Sequence, residues 1–148
     1  MVTLRNITYD DIEMLKKHRY QNMTYEEIQK MISQWNQKEY QGKYYEMFAI
    51  VVGTDLVGTI SLFQHSESVI SCGPEVFQCC QKNGYGKEAM ILAIQIAKEK
   101  GYKIVSQQIR KNNEASIALH RSLGFESNKY TYINKKGNEV FVYLKALF

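Results

Sequence analysis

A chain of 148 residues with 45% hydrophobic and 23% charged side chains can bury one sizeable core and is too short for two ordinary domains. That composition excludes a disordered or low-complexity protein, and a net charge of +4, scattered in ones and twos, lacks the concentrated basic stripe of a nucleic-acid binder. The longest apolar runs, residues 47–52 and 89–94, fall far short of the roughly 18 residues a membrane span needs, and three cysteines without C-x-x-C spacing argue against a disulfide framework or a zinc site.

Met1-Val2-Thr3-Leu4-Arg5-Asn6 has no basic patch leading into an apolar run, so a cytoplasmic location is expected. Residues 3–7 alternate well enough for a first strand. Thr8-Tyr9-Asp10-Asp11 supplies a hydroxyl cap and first-turn acids for a helix carrying Ile12, Met14 and Leu15. Thr24-Tyr25-Glu26-Glu27 is a capping box, and Ile28, Met31, Ile32 and Trp35 follow at the spacing of one helical face. Residues 36–45 are polar, tyrosine-rich and unpatterned, and read as a loop. Residues 47–52 and 56–63, joined by Gly53-Thr54-Asp55, read as a hairpin, and residues 69–77 as a third strand with Pro74 inside it.

Gln81-Lys82-Asn83-Gly84-Tyr85-Gly86-Lys87 then opens the largely apolar run 88–97. Asn83-Gly84 is also a hairpin-turn signal, but the run after it does not alternate, and Lys98-Glu99-Lys100-Gly101 is a helix ending. Two glycines at the start of a helix let backbone N–H groups approach an anion with no Cβ in the way, and the helix dipole adds to the attraction. We read a diphosphate cradle. It is not a Walker loop, because Gln81 takes the place of the first glycine and Glu88 follows Gly86-Lys87; it is not a dinucleotide fingerprint, because Ser106-Gln107-Gln108 has no carboxylate for a ribose. It does satisfy [Gln/Arg]-x-x-Gly-x-[Gly/Ala] at every specified position. Residues 103–109 form a strand that should pair parallel to the one before the helix. Asn113 caps a further helix that Gly124-Phe125 ends, and residues 126–134 and 139–147 read as a final hairpin.

The glycine loop, with Asn113-Glu114-Ala115-Ser116-Ile117-Ala118-Leu119-His120-Arg121-Ser122-Leu123-Gly124-Phe125 downstream, resembles the GNAT superfamily of acyl-coenzyme A dependent N-acetyltransferases. The second stretch is similar to that family's Asn-x-x-[Ala/Ser]-Ile-x-Leu-Tyr-x-x-Leu-Gly-Phe, with His120 where tyrosine is usual. The resemblance covers nearly the whole chain, strongly over residues 73–125. It implies a single α/β (α+β) domain over residues 1–148: a mixed, mostly antiparallel twisted sheet of six to seven strands flanked by about four helices. It also implies acetyl-CoA as donor, no metal, and transfer to a primary amine by direct attack in a ternary complex. A non-catalytic CoA-binding or regulatory module of the same fold is the alternative. The implied acceptor is a small-molecule amine or a protein N-terminal amine, with no nucleic acid or membrane partner and a homodimer left open.

Transfer needs a positioned donor, a deprotonated amine and help for the oxyanion and departing thiolate. Backbone amides of Gln81, Lys82, Asn83, Gly84, Tyr85, Gly86 and Lys87 would hold the pyrophosphate. By the resemblance Val76, Phe77 and Gln78 would run beside the pantetheine arm, and Asn113 and Ser116 would add cofactor contacts. His120, at the family's tyrosine position, is the candidate acid for the thiolate, since an imidazolium can protonate a thiol-range base. Glu75 is the candidate general base, with Glu67 and His65 behind it. Cys79 and Cys80 adjoin the cradle without a base to activate them. Tyr20, Tyr25, Tyr40, Tyr44, Tyr45, Tyr130 and Tyr132 would flank an aromatic acceptor cleft.

Overall fold

The computed structural model describes all 148 residues. Its strands are β1 (Val2–Asn6), β2 (Glu39–Tyr40), β3 (Lys43–Val52), β4 (Asp55–Gln64), β5 (Val69–Val76), β6 (Ile104–Arg110), β7 (Thr131–Ile133) and β8 (Glu139–Ala146). Its helices are α1 (Ile12–His18), α2 (Tyr25–Trp35), α3 (Tyr85–Glu99) and α4 (Glu114–Ser122). The sheet runs β1-β3-β4-β5-β6-β8-β7, with the short β2 paired to β3. Every pairing is antiparallel except β5 with β6. The expected fold class holds, with the two-residue β2 added to seven strands.

Each face of the sheet buries its own core. Val2, Ile50, Ile60, Leu62, Ile70, Val105 and Tyr143 pack under Ala89, Met90, Ala93 and Ala97 of α3. The alanines among them, Ala89, Ala93 and Ala97, lie at helical spacing and bring the helix close to the strands. On the other face Ala49, Val51, Leu56 and Phe77 meet Ile12 and Leu15 of α1 and Ile28 and Ile32 of α2. The capping box forms as read: the Thr24 hydroxyl accepts from the Glu27 amide at 3.1 Å, and Glu27 accepts from the Thr24 amide at 2.9 Å.

The first helix starts later than Thr8, after a single 3-10 turn at Tyr9–Asp11. Asp11 explains the delay, because its carboxylate accepts the Thr8 amide at 2.9 Å and grips the Arg5 guanidinium with two contacts of 2.8 Å. Two further readings are corrected. Residues 36–45 are not all loop: β2 and the start of β3 form a ribbon there, made by long-range pairing rather than by any local apolar pattern. The last hairpin is lopsided, with β7 only three residues long and Glu126 touching Leu144 through one isolated bridge.

The feature that matters for function is where β5 and β6 part. Their parallel ladder has two rungs, Val69 with Ile104 and Ile70 with Val105, and then stops, although β5 stays paired to β4 as far as Val76. The Cys72 amide and carbonyl point into the resulting gap, so by the two-residue alternation of a strand Pro74 and Val76 face it as well. Pro74 sits inside a strand without cost for this reason: the N–H it lacks would have faced the gap rather than β4.

Candidate active site

The glycine loop lies at the mouth of this gap. Lys82 and Gly84 both take left-handed conformations, at φ 67° and 79°, and Gly84 is the N-cap of α3. The first turn leaves the amides of Tyr85, Gly86 and Lys87 with no intrahelical partner. The Asn83 side chain turns back to donate to the Cys80 and Gln81 carbonyls, and Gln81 donates to Val76, so the loop is tied to itself and to the end of β5. A cleft of about 770 Å³ runs from this loop between β5, β6 and α4. Val76, Gln81, Lys82, Gly84, Tyr85, Gly86, Lys87, Asn113, Ser116 and His120 of the expected residues line it.

The other expected residues lie elsewhere. Asn83 shapes the loop from within. Phe77 still donates its amide to Val57 of β4 at 2.8 Å, and its ring is buried in the second core on the far face, stacked on His18 at 5.0 Å. Gln78 begins a 3-10 turn facing His18 and Arg19. Glu75 is on the opposite face of the sheet, held by Arg19 through contacts of 2.6 and 3.3 Å with both side chains about half exposed. Asn113 caps α4, accepting from the Ser116 amide at 3.1 Å.

His120 is only 4% exposed. Its Nδ1 lies 2.7 Å from the Ser116 carbonyl, which can only accept, so Nδ1 carries the hydrogen. Nε2 is then an acceptor and takes a hydrogen bond from Gln107 Nε2 at 3.2 Å. Burial lowers its pKa below the ordinary 6.5, outweighing the Ser116 carbonyl, which acts in the opposite sense. An imidazolium would also aim a second N–H at the Gln107 amide. The geometry and the burial favour a neutral, fixed imidazole over the expected general acid.

A depressed histidine pKa means that the unfolded chain takes up the proton more readily, so this stability is complete above pH about 6.5 and is lost as pH falls below it. His65, also lowered by burial and by Lys43, acts in the same sense. The urea midpoint should therefore fall between about pH 7 and about pH 5, and should fall less in His120→Gln, which keeps an uncharged acceptor for Gln107. Parallel profiles for the two proteins would show that His120 does not titrate this way.

Gln107 is the residue that sequence reading passed over. It is 5% exposed and stands in for the missing rung of the ladder: its Oε1 accepts the Cys72 amide at 2.8 Å, and its Nε2 donates to the Cys72 carbonyl at 2.7 Å. The second Nε2 hydrogen reaches His120. A signal was present, since Val105, Gln107 and Ile109 share one face and an amide in an inward apolar row must find partners.

On the far face two further cavities approach the same gap. One of about 330 Å³ lies among Tyr20, Trp35, Tyr45, Met47, Pro74 and Glu75. The other, about 1060 Å³, includes Tyr40 and Tyr132 in its wall. Four of the seven tyrosines thus line these two cavities. Tyr44 faces the α3 side, stacked on Tyr102 at 6.4 Å with its hydroxyl on Glu46; Tyr25 and Tyr130 are exposed outside both cavities.

Fold and cleft together define an α/β domain built around a glycine loop at the N-terminus of a helix, beside two parted parallel strands. The chain belongs to the acetyltransferase (GNAT) domain family, which it matches over residues 2–126, and it is an acyltransferase. No curated protein sequence matches it. The structure of yncA from Salmonella typhimurium with its cofactor acetyl-CoA is similar, at a TM-score of 0.76 and 15% identity over 100% of this chain and 95% of that one. RimL, a ribosomal L7/L12 alpha-N-protein acetyltransferase in complex with coenzyme A, is similar at a TM-score of 0.82 and 16% identity over 99% and 94% of the two chains. A chimera of the spermidine N-acetyltransferase SpeG from Vibrio cholerae has a TM-score of 0.79 and 12% identity over 99% and 95%. No helix is long and apolar enough to cross a membrane.

Proposed function

We propose that the protein transfers an acetyl group from acetyl-CoA to a primary amine by direct attack in a ternary complex. One observation carries the reading: the glycine-loop cleft and the cavities on the opposite face meet at the gap between β5 and β6, so donor and acceptor can approach it from opposite sides. Similar folds solved with acetyl-CoA or coenzyme A support the choice of donor.

The residues of the cleft fit that group. The free amides of Tyr85, Gly86 and Lys87 would bind the diphosphate, with charge added by Lys82 and Lys87. When bound, acetyl-CoA supplies an acetyl thioester, an acyl group already activated toward amines. Val76 has the one backbone N–H on the gap-facing edge between Cys72 and the glycine loop left without a partner by Pro74 and Gln107, and it would donate to a developing oxyanion. On the acceptor side Glu75 is the only carboxylate in the lining of either cavity. Arg19 holds it in place, and it would take the amine proton directly or through water. The thiolate leaves without a charged donor, while His120 and Gln107 hold the gap open.

Free-thiol release from acetyl-CoA with a panel of primary amines tests the activity, and Glu75→Gln tests the base. That variant should lower kcat by about 10²-fold with little change in the KM for acetyl-CoA. An unchanged pH–rate profile and rate in Glu75→Gln would move the base elsewhere. No thiol release with any amine would remove the transferase reading.

A further inference from the structure

We propose that the large cavity on the open face of the sheet is a binding groove for an acidic peptide, and that the preferred acceptor is a peptide N-terminus followed by acidic residues. The proposal rests on the acetyltransferase reading and names its acceptor class. No helix covers the sheet over the later part of β5, β6 and β8, and the cavity there measures about 1060 Å³. That is at or above the upper end of the roughly 300–1,000 Å³ of small-molecule sites, and it suits several residues of extended chain. It is continuous with the chemistry, because Cys72, Gln107 and Gln108 line both this cavity and the cofactor cleft. A chain lying in the groove therefore has its end at the gap where the acetyl group would be presented.

The charge of the groove selects the occupant. Its basic lining residues are His65, Lys135 and Lys136, and no carboxylate is among the residues that line it. Glu139, at the start of β8 beside the lysine turn, is engaged by Thr131 at 2.6 Å and Lys111 at 3.4 Å. Lys43 adds to the basic rim, donating to the His65 carbonyl at 3.0 Å. A polyamine or a basic peptide would meet like charge here, and an acidic one is attracted.

The backbone that carries the two lysines is also held in place. Their turn, between β7 and β8, is closed by Asn134, whose Oδ1 accepts the Lys136 and Asn138 amides at 3.1 and 3.0 Å. The Asn134 side chain then donates to Gln108 in the groove floor at 3.2 Å. The basic turn is thus fastened to the surface it would help to read. Facing it are the rings of Tyr40 and Phe63, 6.5 Å apart, with His65 edge-on to Phe63 at 5.1 Å. They offer apolar area to side chains between the acids.

The test uses the full chain and three hexapeptides with the same N-terminal serine, followed by glutamates, glutamines or lysines. Thiol release from acetyl-CoA should give a kcat/KM for the glutamate peptide about tenfold or more above the glutamine one, with the lysine peptide lowest and the advantage shrinking as salt rises. The Lys135→Glu/Lys136→Glu double variant should reverse this order while keeping its thermal response to CoA. Anisotropy of the fluorescein-labelled glutamate peptide, with and without CoA, measures the same preference without turnover. Equal values for the three peptides, preference for a polyamine or a small amine, or an order unchanged in the double variant would each overturn the proposal. If no amine of any kind releases thiol and the glutamate peptide still binds selectively, the groove stands and the transferase reading falls.

Discussion

Gly86→Val should give a folded protein whose melting temperature no longer responds to CoA. With CoA at about one hundred times its dissociation constant the wild-type chain should gain about 2.7 kcal/mol, or roughly 5–10 °C for a domain of this size. The variant should gain nothing measurable. A Cβ at Gly86 meets only Val76 Cγ2, at 3.6 Å, so the folded chain has room for it. The branched valine side chain instead takes the space beside the free amides of the first turn of α3, where phosphate oxygens would lie. Gly84 is a less clean site because its φ of 79° makes any side chain strained, at about 1–2 kcal/mol, whatever the cleft holds. Gly86→Ala, adding one methyl, should weaken CoA without abolishing it. A CoA-dependent shift of wild-type size in Gly86→Val would place the diphosphate elsewhere.

Gln107→Leu should be the most damaging single change at the centre of the site. It removes the partners of the Cys72 amide, the Cys72 carbonyl and His120 Nε2 at once, all in a buried setting. Each such group costs about 1–3 kcal/mol when left unpaired, and because they share one network the total should be about 3–5 kcal/mol. The chemical step should also slow by about 10²-fold, since a shift of about 1 Å in the edge that carries Val76 is enough for that.

Loss of stability alone would not separate a positioning residue from a structural one, and Gln107→Glu does so. The carboxylate can accept the Cys72 amide but sets an oxygen against the Cys72 carbonyl, and it favours a proton on His120. Imidazole resonances should then show His120 titrating at higher pH than in the wild type. The kcat profile should shift with it while the KM for acetyl-CoA stays nearly constant. Wild-type kcat in both variants, with the His120 titration unmoved, would reduce Gln107 to packing.

The sequence by itself determined those parts whose cause is local. Thr24 and Glu27 cap α2, and Asn113 caps α4, because each cap is a contact over three residues of chain. The glycine loop was legible for the same reason: a left-handed Gly84 before an apolar helix needs no knowledge of the rest of the fold. The order of strands and helices followed from periodicity and turns, and with the two motifs it identified the family. Tertiary structure alone decided what happens across the sheet. Whether β5 and β6 stay paired depends on residues 35 positions apart, where the Gln107 side chain replaces a backbone rung at Cys72. His120 reads as a candidate proton donor in the sequence, whereas the amide that reaches it and the core that closes over it are set by the tertiary structure. The same distance hid the face of Tyr44 and the groove over β6 and β8. Which side of a sheet a residue meets, and what lies opposite, is set by partners far away in the chain, and desolvation then sets the charge a group can carry.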